Sequence, residues 1–148
     1  MTFSQYRKIC ELFLGLDGKN GIFGHCFFTL QWNLMSRAES CSILHMNHVS
    51  WSSDSLQFYF AHSKTDQDGK FQSEPWHIYS NPLDPIVCPV LSFAIYIFSF
   101  PHLLKGDCHL FEGDFQYSRY GKILQRLLAD NKNCLEEMGV DSKHVGTH

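Results

Sequence analysis

An α+β fold is what this sequence predicts, mostly helical with one small antiparallel sheet, and three patterns predict it. Tyr6, Ile9, Cys10 and Phe13 recur at helical spacing. The segment from Ile22 to Met35 is apolar on most sides, as a helix buried in a core must be. Leu56, Phe58 and Phe60 alternate with Gln57, Tyr59 and Ala61, the period-two signature of a half-buried strand. A chain of 148 residues is long enough to bury one ordinary core.

The elements follow in order. Ser4 can cap a first helix that runs to about Leu14. Asp17-Gly18-Lys19-Asn20-Gly21 has the chemistry of a loop. Residues 1–21 are therefore an N-terminal helix and loop, and residues 22–148 the main domain. Its core helix spans Ile22 to Met35, with Phe27, Phe28, Leu30, Trp32 and Leu34 inside and Arg37 at the edge of the core. His48 to Trp51 is a short strand, Ser52-Ser53-Asp54 a turn, and Leu56 to Phe60 the alternating strand. Asp66-Gln67-Asp68-Gly69 suits a hairpin turn, because Gly69 is free to take positive φ. Trp76 to Tyr79 is the returning strand, so the sheet has three antiparallel strands. Pro89 suits the first turn of a helix ending near Phe100. Phe111 falls in an extended segment. Ser118 can cap a helix to about Asn131 with Ile123, Leu124, Leu127 and Leu128 facing inward, and Asp141 or Ser142 starts a last turn.

Composition narrows the function. Hydrophobic content of 44% against 18% charged residues excludes a disordered chain. The net charge of −3 excludes a strongly basic nucleic-acid binder, although a local basic cleft can exist on an acidic surface. The six cysteines show no short-spaced pair and the start has no secretory pattern, which points to reduced thiols in a nuclear or cytoplasmic protein. The apolar run Val90 to Phe100 is too short to span a bilayer, so no membrane partner is expected. Cys41, His45 and His48 could share a helical face, but zinc sites usually show tighter pairs, and no metal or other cofactor is expected. Trp32, Phe58, Phe60 and Trp76 read as core rather than as base-stacking platforms.

Four stretches carry a family resemblance. Trp32-Asn33-Leu34-Met35-Ser36-Arg37 resembles the helix end bearing the first catalytic arginine of tyrosine recombinases, the phage-integrase superfamily. His62-Ser63-Lys64-Thr65-Asp66-Gln67 resembles the hairpin bearing their catalytic lysine. Asn81 through Leu91 resembles the link from sheet to helix, and Gly146-Thr147-His148 the opening of the His-x-x-Arg motif. The wording is similar to that of Crypton-like recombinases of eukaryotic mobile elements. The match covers residues 22–148 in family order.

This resemblance implies an integrase-like catalytic core acting in DNA recombination and integration. Arg37, Lys64 and His148 would be its catalytic residues, Arg37 and Lys64 its DNA contacts, and double-stranded DNA its partner. It also allows a homo-oligomer on DNA. In such enzymes a tyrosine attacks a phosphodiester, forming a 3′-phosphotyrosyl link and freeing a 5′-hydroxyl. An arginine fork can bind two non-bridging oxygens at once. Such a preorganised donor is worth on the order of 3–4 kcal/mol. Lys64 could protonate the leaving 5′-oxygen, and His148 could polarise the phosphate.

Departures from the family pattern are equally informative. The second arginine and the nucleophile would follow His148, whereas all six tyrosines precede it. The sequence therefore reads as a truncated domain lacking its C-terminal helices and inactive alone, with an open apolar face that makes it poorly stable or self-associating. Glu39 and Ser40 stand two and three positions after Arg37, where the family often has its acid at plus three. Taken singly, Arg37 is an ordinary helix C-terminal cation and Lys64 a solvated hairpin lysine. The alternative to the recombinase reading is a non-catalytic DNA-binding or protein-interaction module derived from a mobile element.

Overall fold

The computed structural model describes residues 1–60, 74–140 and 145. Its architecture is α+β, with six α-helices and one three-stranded antiparallel sheet among the described residues. Helix α1 (Phe3–Leu14) starts at Thr2 rather than Ser4. The Gln5 amide donates to the Thr2 hydroxyl at 3.3 Å and the Thr2 amide to the Gln5 side chain at 2.8 Å, a reciprocal cap. Its expected stripe of Tyr6, Ile9, Cys10 and Phe13 is buried.

Helix α2 (Lys19–Asn33) is the central element, buried on almost every side from Phe23 to Leu30. It starts earlier than the loop chemistry of 17–21 suggests. Gly18 takes φ 74° and ends the loop, and Gly21 lies within the helix. The absence of Cβ at Gly21 lets α2 approach the Phe13 and Leu16 carbonyls at the end of α1. Tyr6 stacks on Trp32 with ring centroids 4.4 Å apart, and Phe27 stacks on Tyr120 at 4.1 Å. The core thus joins α1 to the rest of the chain. Arg7 pairs with Asp84 at 2.7 Å, and the Gln5 amide group donates to the Met138 and Gly139 carbonyls.

Helix α3 (Ala38–Ser42) leads through a 3₁₀ turn at Met46–His48 into strand β1 (Val49–Ser52). A two-residue turn, with Ser53 at φ 56°, connects it to β2 (Ser55–Phe58). Strand β3 (Trp76–Tyr79) pairs with β2 in the register Leu56 to Ile78 and Phe58 to Trp76. Leu56, Phe58 and Ile78 are buried, and Phe58 meets Phe93 edge-on, seating the sheet on helix α4 (Pro89–Ser99). Trp76 departs from the expected core role. It sits at the start of an edge strand and is 45% exposed.

Helix α4 begins at Pro89 as expected, and its first free amides are met by sulfur: the Leu91 amide donates to Cys88 Sγ. Helix α5 (Gln116–Asp130) starts two residues before Ser118, because Phe115 takes a left-handed conformation (φ 59°) and turns the chain in. Leu124, Leu127 and Leu128 are buried, with Ile123 half-buried beside them. Helix α6 (Lys132–Glu137) was not legible from the sequence pattern. None of the described helices is long and apolar enough to cross a membrane.

Candidate functional site

Arg37 stands at the junction of α2 and α3, and the local backbone explains why. Helix α2 closes with two bonds of opposite span: the Ser36 amide donates to the Gln31 carbonyl at 3.1 Å and the Met35 amide to the Trp32 carbonyl at 3.2 Å. That C-cap requires a left-handed residue, and Met35 supplies it at φ 46°. Arg37 then takes an extended conformation and becomes the N-cap of α3, its carbonyl accepting the Cys41 amide at 3.1 Å. Leu34, Ala38 and Cys41 are buried around it, so the backbone is held while the guanidinium is exposed.

The helix-terminal explanation for this cation therefore loses its support. Arg37 lies beyond the end of α2 and at the start of α3, where a helix dipole offers a cation nothing. Among the described residues no carboxylate forms an ion pair with it. Glu39 is exposed in the first turn of α3, and its carbonyl accepts the Ser42 hydroxyl at 2.7 Å.

An open cleft of about 340 Å³ begins one helical turn after Arg37, with Ser40, Ile43, His45, His48, Phe60 and Asp107 among its lining residues. Ser40 belongs to α3. Phe60 continues β2 and is held near the cleft because the Tyr59 amide donates to the His48 carbonyl at 2.9 Å. Phe60 is the last described residue before the segment bearing Lys64. Lys64, its expected turn at Asp66 to Gly69, and Gly146, Thr147 and His148 lie outside the described residues. So does the expected turn at Asp141 and Ser142.

Sequence reasoning considered His45 and His48 only as metal candidates on a helix with Cys41. That helix does not exist, since α3 ends at Ser42. Cys41 is buried with Sγ 2.9 Å from the Ser36 hydroxyl, and burial pushes its thiol up to about 12. No three His, Cys, Asp or Glu side chains among the described residues are placed to hold a metal ion. His45 instead meets His48, Asp107 and His109, and sixty residues of separation hide the last two contacts from any short motif.

The tyrosines divide into two groups. Tyr6, Tyr96 and Tyr120 are buried, and burial raises each hydroxyl above its ordinary value, which keeps the proton on. Tyr59, Tyr79 and Tyr117 are exposed. Comparison with known family models, with curated proteins and with solved structures finds no match for this chain.

Proposed function

We propose that the chain is a DNA breaking-and-rejoining domain of the tyrosine-recombinase type, acting on double-stranded DNA in recombination and integration in the nucleus or cytoplasm. One observation carries this reading. The cleft that begins at Ser40, three residues after Arg37, is also lined by Phe60, which precedes Lys64 by four residues in the sequence. The exposed guanidinium on a pinned backbone supports it, because a preorganised fork binds a phosphate without first ordering itself. The order of elements agrees with the family pattern: a buried helix, the arginine, an antiparallel sheet whose connection bears the lysine, then a helix opened by Cys88-Pro89.

In this role Arg37 binds two non-bridging oxygens, and Lys64 lies beside the leaving oxygen to supply its proton.

Binding of a labelled duplex at two salt concentrations tests the proposal. The two cations Arg37 and Lys64 on DNA phosphate predict a loss of affinity of about tenfold between about 50 and 200 mM salt. Arg37→Ala should weaken binding about tenfold or more, while Arg37→Lys, which keeps charge and loses the fork, recovers only part. Equal binding at both salts, or no effect of Arg37→Ala, overturns it.

A second reading is a protein-interaction module. Helix α4 carries no charged residue and leaves Leu91, Ile95 and Phe98 exposed along one stripe, Phe98 at 81%. That reading predicts no affinity for duplex DNA at any salt concentration.

A further inference from the structure

We propose that His45, His48 and His109 form a proton-operated clasp, which holds the far end of the Arg37–α3 segment against residues 107–110 when neutral and releases it on acidification. The clasp does not depend on the recombinase reading.

The geometry begins with backbone. Leu110 donates its amide to the Leu44 carbonyl at 2.7 Å and Met46 donates to the Cys108 carbonyl at 2.9 Å, forming an isolated antiparallel bridge between His45 and His109. These two bonds join the exit of α3 to a segment sixty residues away. The imidazoles gather around them. The His45 ring lies 4.1 Å from that of His109 and 5.4 Å from that of His48, centroid to centroid.

Protonation states are constrained by the hydrogen bonds. The His45 amide donates to His48 Nδ1 at 3.2 Å, so that nitrogen must be bare and the neutral ring carries its proton on Nε2. The same tautomer argues against a metal at Nε2. A proton added at Nδ1 removes this bond and places a cation beside the His45 imidazole, which itself packs on His109. Among the described residues the carboxylate paired with the group is Asp107, whose Oδ1 is 3.4 Å from His45 Nδ1. It can offset one imidazolium but not three. Helix α3 adds only Ser40 to this wall, and the continuation of β2 adds Phe60. Burial and His45 together lower the proton affinity of His48, with Asp107 opposing.

Because α3 has only five residues, freeing its exit also loosens the N-cap at Arg37. Neutral imidazoles keep the segment closed, and gain of two or more protons opens it by repulsion and by loss of the His48 bond.

Amide hydrogen exchange on the whole chain tests this. Protection factors at Met46 and Leu110, corrected for intrinsic rates, should fall about tenfold or more between about pH 7.5 and 5.5, beyond any fall at Phe27 in α2. In His45→Gln/His109→Gln the excess fall should disappear. Met46 and Leu110 tracking Phe27 throughout in the wild-type chain, or an unchanged excess in the variant, overturns the clasp. Should the variant not fold, ring resonances of the wild-type chain decide. His48 must titrate below the ordinary value of about 6.5, and its titrating at or above that value overturns the proposal.

Discussion

Met35 is a methionine in a conformation that side chains rarely take, and it positions Arg37 two residues later. A Cβ in the left-handed region costs about 1–2 kcal/mol. The side chain gains little in return, being 81% exposed. Met35→Gly should therefore raise unfolding stability by about 1 kcal/mol, read as a higher denaturant midpoint at unchanged slope. A lower midpoint would mean that the methionine side chain makes a contact that matters. This residue also shows what the sequence concealed. Without a glycine to mark the helix end, the apolar run seemed to continue to Met35, although α2 ends at Asn33. Arg37 was legible as a candidate from its neighbours. Its place at the start of a new short helix was not, because Ala-Glu-Ser-Cys-Ser has neither the length nor the periodicity to signal one.

At the scale of elements, the crossing of α1 and α2 depends on an absent side chain. A Cβ at Gly21 would collide with the Leu16 and Phe13 carbonyl oxygens, which are backbone and cannot rotate away. Alanine improves helix propensity by about 1 kcal/mol, whereas overpacking costs about 1–3 kcal/mol and more when the backbone must move. The clash wins, so Gly21→Ala should lower stability by about 1–2 kcal/mol net. A midpoint equal to or above wild type would show that the helices can separate freely. The α1 stripe and the alternating strand β2 were legible because burial against the core imposes a period of 3.6 or 2 residues. The edge position of Trp76 was not legible, since alternation assigns a face and says nothing about which strand closes the sheet. Helix α5 began early because a left-handed residue, Phe115, turns the chain in three residues before the expected serine cap.

For the molecule as a whole, stability should be greatest near neutral pH, and the buried groups fix both sides of that window. His25 is 3% exposed; its Nε2–H donates to the Ile86 carbonyl at 2.7 Å and its Nδ1 accepts from the Ser92 hydroxyl at 2.9 Å. Burial lowers its proton affinity, with the Ile86 bond partly opposing. The unfolded chain thus takes up a proton below about pH 6.5 that the folded chain resists, and stability falls as pH drops through that point. Cys10 and Cys41 shift the other way, each pushed up to about 12 by burial. The unfolded thiols ionise above about pH 8.5, so stability also falls as pH rises past that value. Denaturant midpoints measured from about pH 5 to 10 should trace a dome, and His25→Asn should flatten its acid side. A flat profile would mean that the core admits water to these groups.

The same scale explains why the fold was easier to read than the site. A core of stripes and alternations is written locally, but the cleft joins α3, the end of β2 and residue 107 from three distant stretches. The central claim is that this cleft is where DNA phosphate meets the protein. Chemical-shift mapping on the whole chain during titration with a short duplex tests it most directly. The largest amide shifts should fall on Ser36 to Ser40 and on Phe60, and they should vanish in Arg37→Ala. Shifts confined to Leu91, Ile95 and Phe98 on α4, or none at any duplex concentration, would contradict it.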